Sequence, residues 1–178
     1  MKLTDSFSLE GLDELDTQLK LYKMGIETFS PYASTGKVDM IIRSEDGEGE
    51  FVHYADVKVC TGKRENDEIY WEIEISFFMK NESFVILTVR LPAKEDEEEL
   101  EKHYFIMKST DFLAIAKKHR LKVQNDVWRI SVLYSDLEIL SEESKTKIRG
   151  PIVRSLRKYF DNWESILDWI NEHRESVK

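Results

Sequence analysis

Apolar and polar positions follow two different periods along the chain, and together they predict a mixture of helices and strands. Four apolar residues near the start recur at intervals of three and four: Leu12, Leu15, Leu19 and Tyr22. This spacing predicts an amphipathic helix from Ser8 to Met24. Gly25 follows as a plausible C-cap, because glycine tolerates the left-handed backbone that ends many helices. The stripe therefore predicts a first helix that packs through its leucines.

Short stretches rich in β-branched and aromatic residues predict the strands. They cover residues 26–30, 37–43, 51–60, 70–77, 104–107 and 128–134, and the continuous apolar run of residues 84–91 predicts a buried central strand. The polar, glycine-bearing segment Ser44–Glu50 suits a hairpin turn, and residues 61–68 are predicted as a loop. Ser109-Thr110-Asp111 offers caps for a helix that continues through residues 112–116. The order of elements predicts a single α/β domain with a central mixed sheet.

The end of the chain carries a second amphipathic stripe. Its apolar members are Trp163, Ile166, Leu167 and Ile170. The stripe predicts a C-terminal helix whose apolar face joins the core, while dimerisation through that face, giving a homo-oligomer, stays open. Gly150-Pro151 separates this region into two helical pieces.

Three charged residues interrupt the predicted strands 37–43 and 51–60. They are Asp39, Asp56 and Lys58, and the last two share one face of their strand because side chains alternate. A buried charge without a partner is costly, so the residues are either a salt bridge or a water-facing strand edge, or they form a functional site. Two carboxylates on adjacent strands can share a hard cation such as Mg²⁺. A neighbouring lysine can offset charge that develops on a phosphate.

Asp39, followed seventeen positions later by Asp56-Val57-Lys58, resembles the D…(D/E)xK signature of the PD-(D/E)XK, or restriction-endonuclease-like, nucleases. Val38 stands where the family often has proline. The order of strand, acidic loop, strand and capped helix extends the resemblance over Ser8 to His119. The resemblance implies a restriction-endonuclease-like α/β fold, with a core of residues 8–119 and a helical C-terminal extension of residues 120–178 within one domain of residues 1–178.

The resemblance also implies a site. Glu14, Leu21 and Gly25 match a helix pattern of the family in which the glutamate helps bind metal; the alternative is one more solvated acid. Asp39 and Asp56 would hold Mg²⁺, with Mn²⁺ as a substitute, and the Val57 carbonyl would be a further ligand. Lys58 would orient or activate water. The implied catalytic set is Glu14, Asp39, Asp56 and Lys58.

These residues imply a magnesium-dependent endonuclease that hydrolyses phosphodiester bonds, with DNA as the expected partner. The alternative is a catalytically inactive protein of the same fold that binds nucleic acid or a protein. A third interpretation is a structural or toxin-system component whose partner supplies specificity. The net charge of −9 argues against a general nucleic-acid coat protein, whose affinity comes from neutralising phosphates.

Charge segregation leaves two questions open. Six cations between residues 145 and 158 have no acid among them: Lys145, Lys147, Arg149, Arg154, Arg157 and Lys158. They form either a phosphate-binding face or a basic helix that pairs with acidic surface. Lys63 and Arg64 either meet phosphates or only aid solubility. The acidic run of residues 95–101 is expected to be a solvated loop or short helical turn.

Composition predicts a soluble, cytoplasmic protein without a membrane partner. The chain has 178 residues, no long apolar run and no signal-peptide pattern. Cys60 is the only cysteine, so no internal disulfide can form, which agrees with a reducing compartment. The four scattered histidines do not form a zinc pattern, and the sequence has no glycine-rich phosphate loop or nucleophile elbow.

Overall fold

A computed structural model describes residues 9–31, 38–45, 49, 52–79, 82–93, 99–141 and 148–175. The strands in these residues are β1 (Thr28–Phe29), β2 (Met40–Glu45), β3 (Val52–Thr61), β4 (Lys63–Glu65), β5 (Glu68–Glu74), β6 (Ser83–Pro92), β7 (Leu100–Lys108), β8 (Val123–Gln124) and β9 (Val127–Leu133). The helices are α1 (Leu9–Lys23), α2 (Ser109–Lys118), α3 (Tyr134–Ser141), α4 (Pro151–Leu156) and α5 (Glu164–Glu175). Two 3₁₀ turns cover Ile75–Met79 and Arg157–Tyr159.

The central sheet is mixed and has five strands in the order β1-β2-β3-β6-β7. Only β3 and β6 are parallel, and the other neighbours are antiparallel. Helices flank this sheet, so the predicted α/β fold with a central mixed sheet is confirmed. In β6, residues 83–89 are all buried, as the continuous apolar run predicted.

A second sheet was not predicted. It has four antiparallel strands in the order β4-β5-β9-β8. Residues 63–65, predicted as part of a loop, are its edge strand β4. The β-branched and aromatic residues of 70–77 and 128–134 correctly predicted both β5 and β9 as strands, and β5 also shows apolar–polar alternation. It could not assign them to a separate sheet, because alternation specifies a buried face and not the pairing partner.

Two apolar cores lie on the two faces of the central sheet. Leu21 of α1 and Ile166 of α5 pack on one face, together with Val57 and Ile86. The other face packs against the second sheet, α2, α3 and α4 through residues such as Trp71. Residues beyond 120 contribute to both cores, since β9 and α5 belong to the segment predicted as a C-terminal extension.

The predicted leucine stripe of α1 faces the wrong way. Leu12, Leu15, Leu19 and Tyr22 are between 42% and 75% exposed. The buried side of the helix carries Asp13, Thr17 and Leu21 instead. The period identified the helix correctly, and Gly25 caps it with a φ of +76°, but the face that meets the sheet was wrong. A polar contact of Asp13 with the sheet decides the orientation of α1.

Asp13 anchors α1 to the sheet through a buried carboxylate. Its Oδ2 accepts hydrogen bonds from the hydroxyls of Thr61 and Thr88. Its Oδ1 lies 2.6 Å from Arg90 Nη2 and 2.8 Å from Lys102 Nζ. Burial raises the pKa of Asp13, but the hydrogen bonds and the two cations outweigh it and lower the pKa overall. The polar side of α1 is therefore the side that the fold holds in place.

Several predicted boundaries move. The first strand is only Thr28–Phe29, and β2 begins at Met40 and continues through residues predicted as turn. Residues 46–48 and 50 of that turn lie outside the described residues, as do residues 37 and 51, which begin two predicted strands, and residues 95–98 of the acidic run. The predicted strand 70–77 ends at Glu74 and continues as a 3₁₀ turn.

The predicted cap of α2 is also wrong. Lys108 holds the N-cap position and no side chain caps it, while the Ser109 hydroxyl accepts a hydrogen bond from Ser83. The C-terminal prediction holds: Trp163, Ile166 and Ile170 are buried in the core. Among the described helices, none is long and apolar enough to cross a membrane.

Candidate active site

The start of β2 brings Asp39 against Lys58 of β3. Asp39 directly precedes Met40, which pairs with Val57 across the ladder. The Asp39 N–H donates to the Val57 carbonyl at 3.0 Å. The carboxylate of Asp39 accepts Lys58 Nζ at 2.8 Å and the Val59 N–H at 2.6 Å. The two charged residues therefore form an ion pair that is held in place by the backbone of β3.

This ion pair is largely buried, with 7% of the Asp39 side chain and 17% of the Lys58 side chain exposed. Burial lowers the pKa of Lys58, but the hydrogen bond and the charge of Asp39 outweigh it and raise the pKa overall. Lys58 is consequently a cation at neutral pH. It can act as a fixed positive charge rather than as a base.

Glu14 of α1 lies beside the ion pair of Asp39 and Lys58. Burial raises the pKa of its carboxyl group, and the charge of Asp39 and a hydrogen bond with Asp39 raise it further. The Lys58 charge acts in the opposite direction. Three residues that the sequence predicted as one site therefore converge: Glu14, Asp39 and Lys58.

Asp56 lies on the same face of the sheet as Lys58. It is two residues before Lys58 on β3, and side chains two residues apart on a strand point to the same face. Its ladder partner is Ile41, which places Asp56 diagonal to Asp39. Side chains in such diagonal positions are about 7 Å apart. Asp56 is half-buried and does not line the cleft described next.

A cleft of about 300 Å³ opens beside Lys58. Residues of α1, β3, β4 and β5 line it, together with Val127 of β9. Its charged lining residues are Glu10, Glu14, Lys58, Lys63, Glu72 and Glu74. Four carboxylates thus face two ammonium groups, and Lys63 Nζ lies 3.4 Å from both Glu10 and Glu72. The cleft is acidic.

Gly62 allows the chain to pass from one sheet to the other at this cleft. Its N–H donates to the Thr88 carbonyl at 2.9 Å. A Cβ at this position would lie 2.7 Å from that carbonyl oxygen and 3.0 Å from Trp71 Nε1. Only glycine permits this close approach, which carries Lys63 into the cleft wall.

Cys60 also lines the cleft, but it is not a nucleophile. Burial raises the pKa of the Cys60 thiol to about 12. The thiolate, which is the reactive form, is therefore scarce at neutral pH. The chemistry of the cleft rests on its carboxylates and lysines.

Sequence reasoning missed three of the cleft acids: Glu10, Glu72 and Glu74. The alternation in β5 puts Glu72 and Glu74 on a polar face, opposite the buried Trp71 and Ile73. That signal is readable, but it does not reveal that this face borders β3. For Lys63, the interpretation of a purely solubilising cation is not supported, since its ammonium bridges two walls of the cleft.

The oxygens near Asp39 are the kind that hard divalent cations prefer. The predicted ligands are the carboxylates of Glu14, Asp39 and Asp56 and the Val57 carbonyl, which fit Mg²⁺ in donor type. The structure brings Glu14 and Asp39 together, whereas Asp56 lies diagonal to Asp39 and the Val57 carbonyl already accepts the Asp39 N–H. Within the described residues, no three acid, histidine or cysteine side chains are already grouped to hold a metal ion. Lys58 Nζ sits on Oδ1 of Asp39, where a cation would compete with it.

No protein-family model matches this chain, and no curated protein sequence matches it. Among solved structures, it is similar to the bacterial homing endonuclease I-Ssp6803I. The TM-score is 0.56 and the sequence identity 16%, over 94% of this chain and 95% of the other. At this identity the likeness concerns the fold, and it shows that the chain shares the fold of that endonuclease over nearly its whole length.

Proposed function

We propose that this chain is a nuclease that hydrolyses phosphodiester bonds in DNA, with a divalent metal ion, at the cleft beside Lys58. The observation that carries the proposal is the convergence of Glu14, Asp39 and Lys58. Glu14 and Lys58 line the cleft, and the buried Asp39 pairs with Lys58. Glu14 comes from α1, Asp39 from the residue before β2 and Lys58 from β3. Asp39 and Lys58 belong to the segment that resembles the D…(D/E)xK signature, and Glu14 belongs to the helix pattern of the same family. The shared fold with a homing endonuclease supports the same conclusion.

A purely structural ion pair between Asp39 and Lys58 would not explain why Glu14 lies beside them. Asp39 and Lys58 alone balance each other, and adding Glu14 brings a second carboxylate against the first. Like charges this close are unfavourable unless a proton or a cation lies between them. A divalent cation removes that repulsion, so a metal-binding role explains why Glu14 is there.

The acidity of the cleft also favours a cation. A phosphodiester group is an anion, and a lining of four carboxylates and two ammonium groups repels it. In this proposal Glu14, Asp39, Asp56 and the Val57 carbonyl would hold Mg²⁺. When bound, the cation would offset the negative charge of the cleft and would activate water for attack.

Lys58 acts as a fixed charge in this proposal. Once its ammonium leaves Asp39 it remains on the wall of the cleft, because β3 holds its backbone between β2 and β6. A preorganised cation there stabilises the negative charge that grows on the phosphate as water attacks. The effect belongs to the transition state, so it raises the rate rather than the affinity.

Metal binding should raise the melting temperature of the native protein. At a concentration one hundred times its Kd, Mn²⁺ adds about 2.7 kcal/mol to the free energy of unfolding. For a chain of this size, that corresponds to roughly 5–10 °C. Asp56→Ala should remove most of the shift, whereas Asp168→Ala, an exposed acid on α5, should keep it. Equal shifts in both variants would contradict the assignment of Asp56.

Cleavage of supercoiled plasmid DNA tests the function itself. The native protein should produce nicked or linear plasmid with Mg²⁺ and none with EDTA. Retardation of the plasmid in a gel without any product in Mg²⁺ or Mn²⁺ would instead favour the inactive binding protein of the same fold.

A further inference from the structure

A large groove lies between α2 and α4, away from the cleft. Its volume is about 900 Å³. We call it the basic groove, because its polar lining residues include four cations. Among these polar residues are Lys118, His119, Arg154, Ser155, Arg157 and Lys158. The proposed catalytic mechanism uses none of them.

Four cations in the basic groove form no salt bridge with a described carboxylate. A hydrogen bond with Tyr159, and more weakly the charge of Asp111, raise the pKa of Lys158. Lys118, Arg154, Arg157 and Lys158 are exposed, and no described carboxylate lies within 4.0 Å of their charged nitrogens. Asp111 is the acid among the lining residues. The expectation that this basic segment pairs with acidic surface is therefore not met in the described part of the chain, and Lys145 and Lys147 lie outside it. In a chain of net charge −9, such a basic patch is the electrostatic footprint of a surface that binds a polyanion.

Two residues that line the basic groove, His119 and Ser155, are polar and uncharged. Ser155 Oγ lies 2.9 Å from His119 Nε2 and accepts from Lys118 Nζ at 3.3 Å. Burial and the nearby charges of Lys118 and Arg154 lower the pKa of His119. The imidazole is therefore uncharged at neutral pH and offers a hydrogen bond, while the four cations supply the charge.

The arrangement of the cations fits a polymer of phosphates. Arg154 lies in α4, and Arg157 and Lys158 follow in the 3₁₀ turn three and four residues later, so all three cations come from one short segment that lines the groove. Lys118 faces them from α2. A site for one small anion would instead enclose it with buried donors. Exposed cations along an open groove are typical of contacts to a nucleic-acid backbone.

We infer that the basic groove binds the phosphodiester backbone of DNA at a distance from the bond that is cleaved. The inference rests on the proposed function and extends it. The 3₁₀ turn Arg157–Tyr159 contacts β7, whereas the cleft borders β3. Two strand spacings of about 4.8 Å separate β3 from β7 within the sheet, so the groove contacts another part of the duplex. It contributes to affinity and not to the chemical step.

The test compares two double variants that remove the same charge. Arg154→Gln/Arg157→Gln changes the basic groove. Lys23→Gln/Arg174→Gln removes exposed cations from α1 and α5, which pack on the opposite face of the sheet. The dissociation constant of each for a 30-base-pair duplex is measured in EDTA across a range of salt concentrations, after melting curves verify that both variants are folded.

Each lost phosphate contact reduces the slope of log affinity against log salt by about 0.9. The groove variant should therefore show a slope smaller by up to about 1.8, and the control variant should match the native protein. The single-turnover cleavage rate with saturating protein should be unchanged in the groove variant.

Equal slopes for the two variants would overturn the inference, as would a native protein that does not bind the duplex in low salt. Displacement of the duplex by inorganic phosphate, but not by chloride of equal ionic strength, would overturn it in favour of a small anion. Tighter binding of polyglutamate than of duplex would overturn it in favour of an acidic protein. Duplex binding through the groove without metal-dependent cleavage would support this inference and reject the proposed function.

Discussion

Lys58→Met should lower the rate of DNA cleavage by about 10²–10³-fold, the usual effect of removing one preorganised electrostatic partner of the transition state. Methionine keeps much of the length and the apolar stem of lysine and removes the charge. Mn²⁺ binding should remain, because Lys58 is not a ligand and its loss leaves Oδ1 of Asp39 open. The measurement is single-turnover cleavage of a labelled duplex, with Mn²⁺ binding followed by melting temperature.

Lys63→Met is the matched control for Lys58→Met. Lys63 lies in the same cleft, but its ammonium contacts Glu10 and Glu72 rather than Asp39. We expect a much smaller loss of rate. Without metal, Lys58→Met should also lower the melting temperature, since it leaves Asp39 without its cation. A lower melting temperature with unchanged cleavage would make Lys58 a structural counter-ion only.

Asp13→Ala should lower the free energy of unfolding by about 3 kcal/mol. Removing one partner of a buried ion pair costs about 3–5 kcal/mol, because it leaves the other charge uncompensated. The lower end applies here, since Arg90 and Lys102 are partly exposed and can turn toward water. Thr61 and Thr88 lose their acceptor as well. Urea unfolding followed by circular dichroism measures the change.

Leu19→Ala on the same helix is the control that compares the contribution of the apolar stripe to stability with that of Asp13. Leu19 is exposed, so its truncation should change stability by no more than about 0.5 kcal/mol. If the leucine stripe were the packing face of α1, the order would reverse. An Asp13→Ala protein as stable as Leu19→Ala would contradict the role of Asp13 as the anchor of α1.

The sequence predicted the parts of the fold that depend on local pattern. The continuous apolar run identified β6 as a buried central strand, and the stripe of α5 identified its packing face. The orientation of α1 could not be predicted in this way. It depends on Asp13 meeting residues 61, 88, 90 and 102, which are far apart in sequence.

In the candidate site too, some residues could be placed from local sequence patterns, whereas others depend on contacts between distant parts of the chain. Asp39 and Lys58 could be brought together from sequence because they lie on consecutive strands of a hairpin ladder. Glu14 followed from a family pattern on the first helix. Glu72 and Glu74 could not be predicted, because their place in the cleft requires the second sheet, in which β5 pairs with β9 more than fifty residues away. Glu10 could not be predicted either, because its place depends on the orientation of α1. Long-range pairing is what the local pattern does not specify.

If the residues around Asp39 cleave DNA, the cleavage rate must depend on the Asp39 carboxylate. Native protein and Asp39→Asn are mixed in excess with one labelled duplex, and the cleavage rate is measured in Mg²⁺. Asparagine keeps the shape of the side chain but removes the charge that would hold a metal ion. We predict metal-dependent cleavage by the native protein and a rate at least about 10²-fold lower for Asp39→Asn. Equal rates for the two proteins, or no cleavage by the native protein in Mg²⁺ or Mn²⁺, would contradict the account.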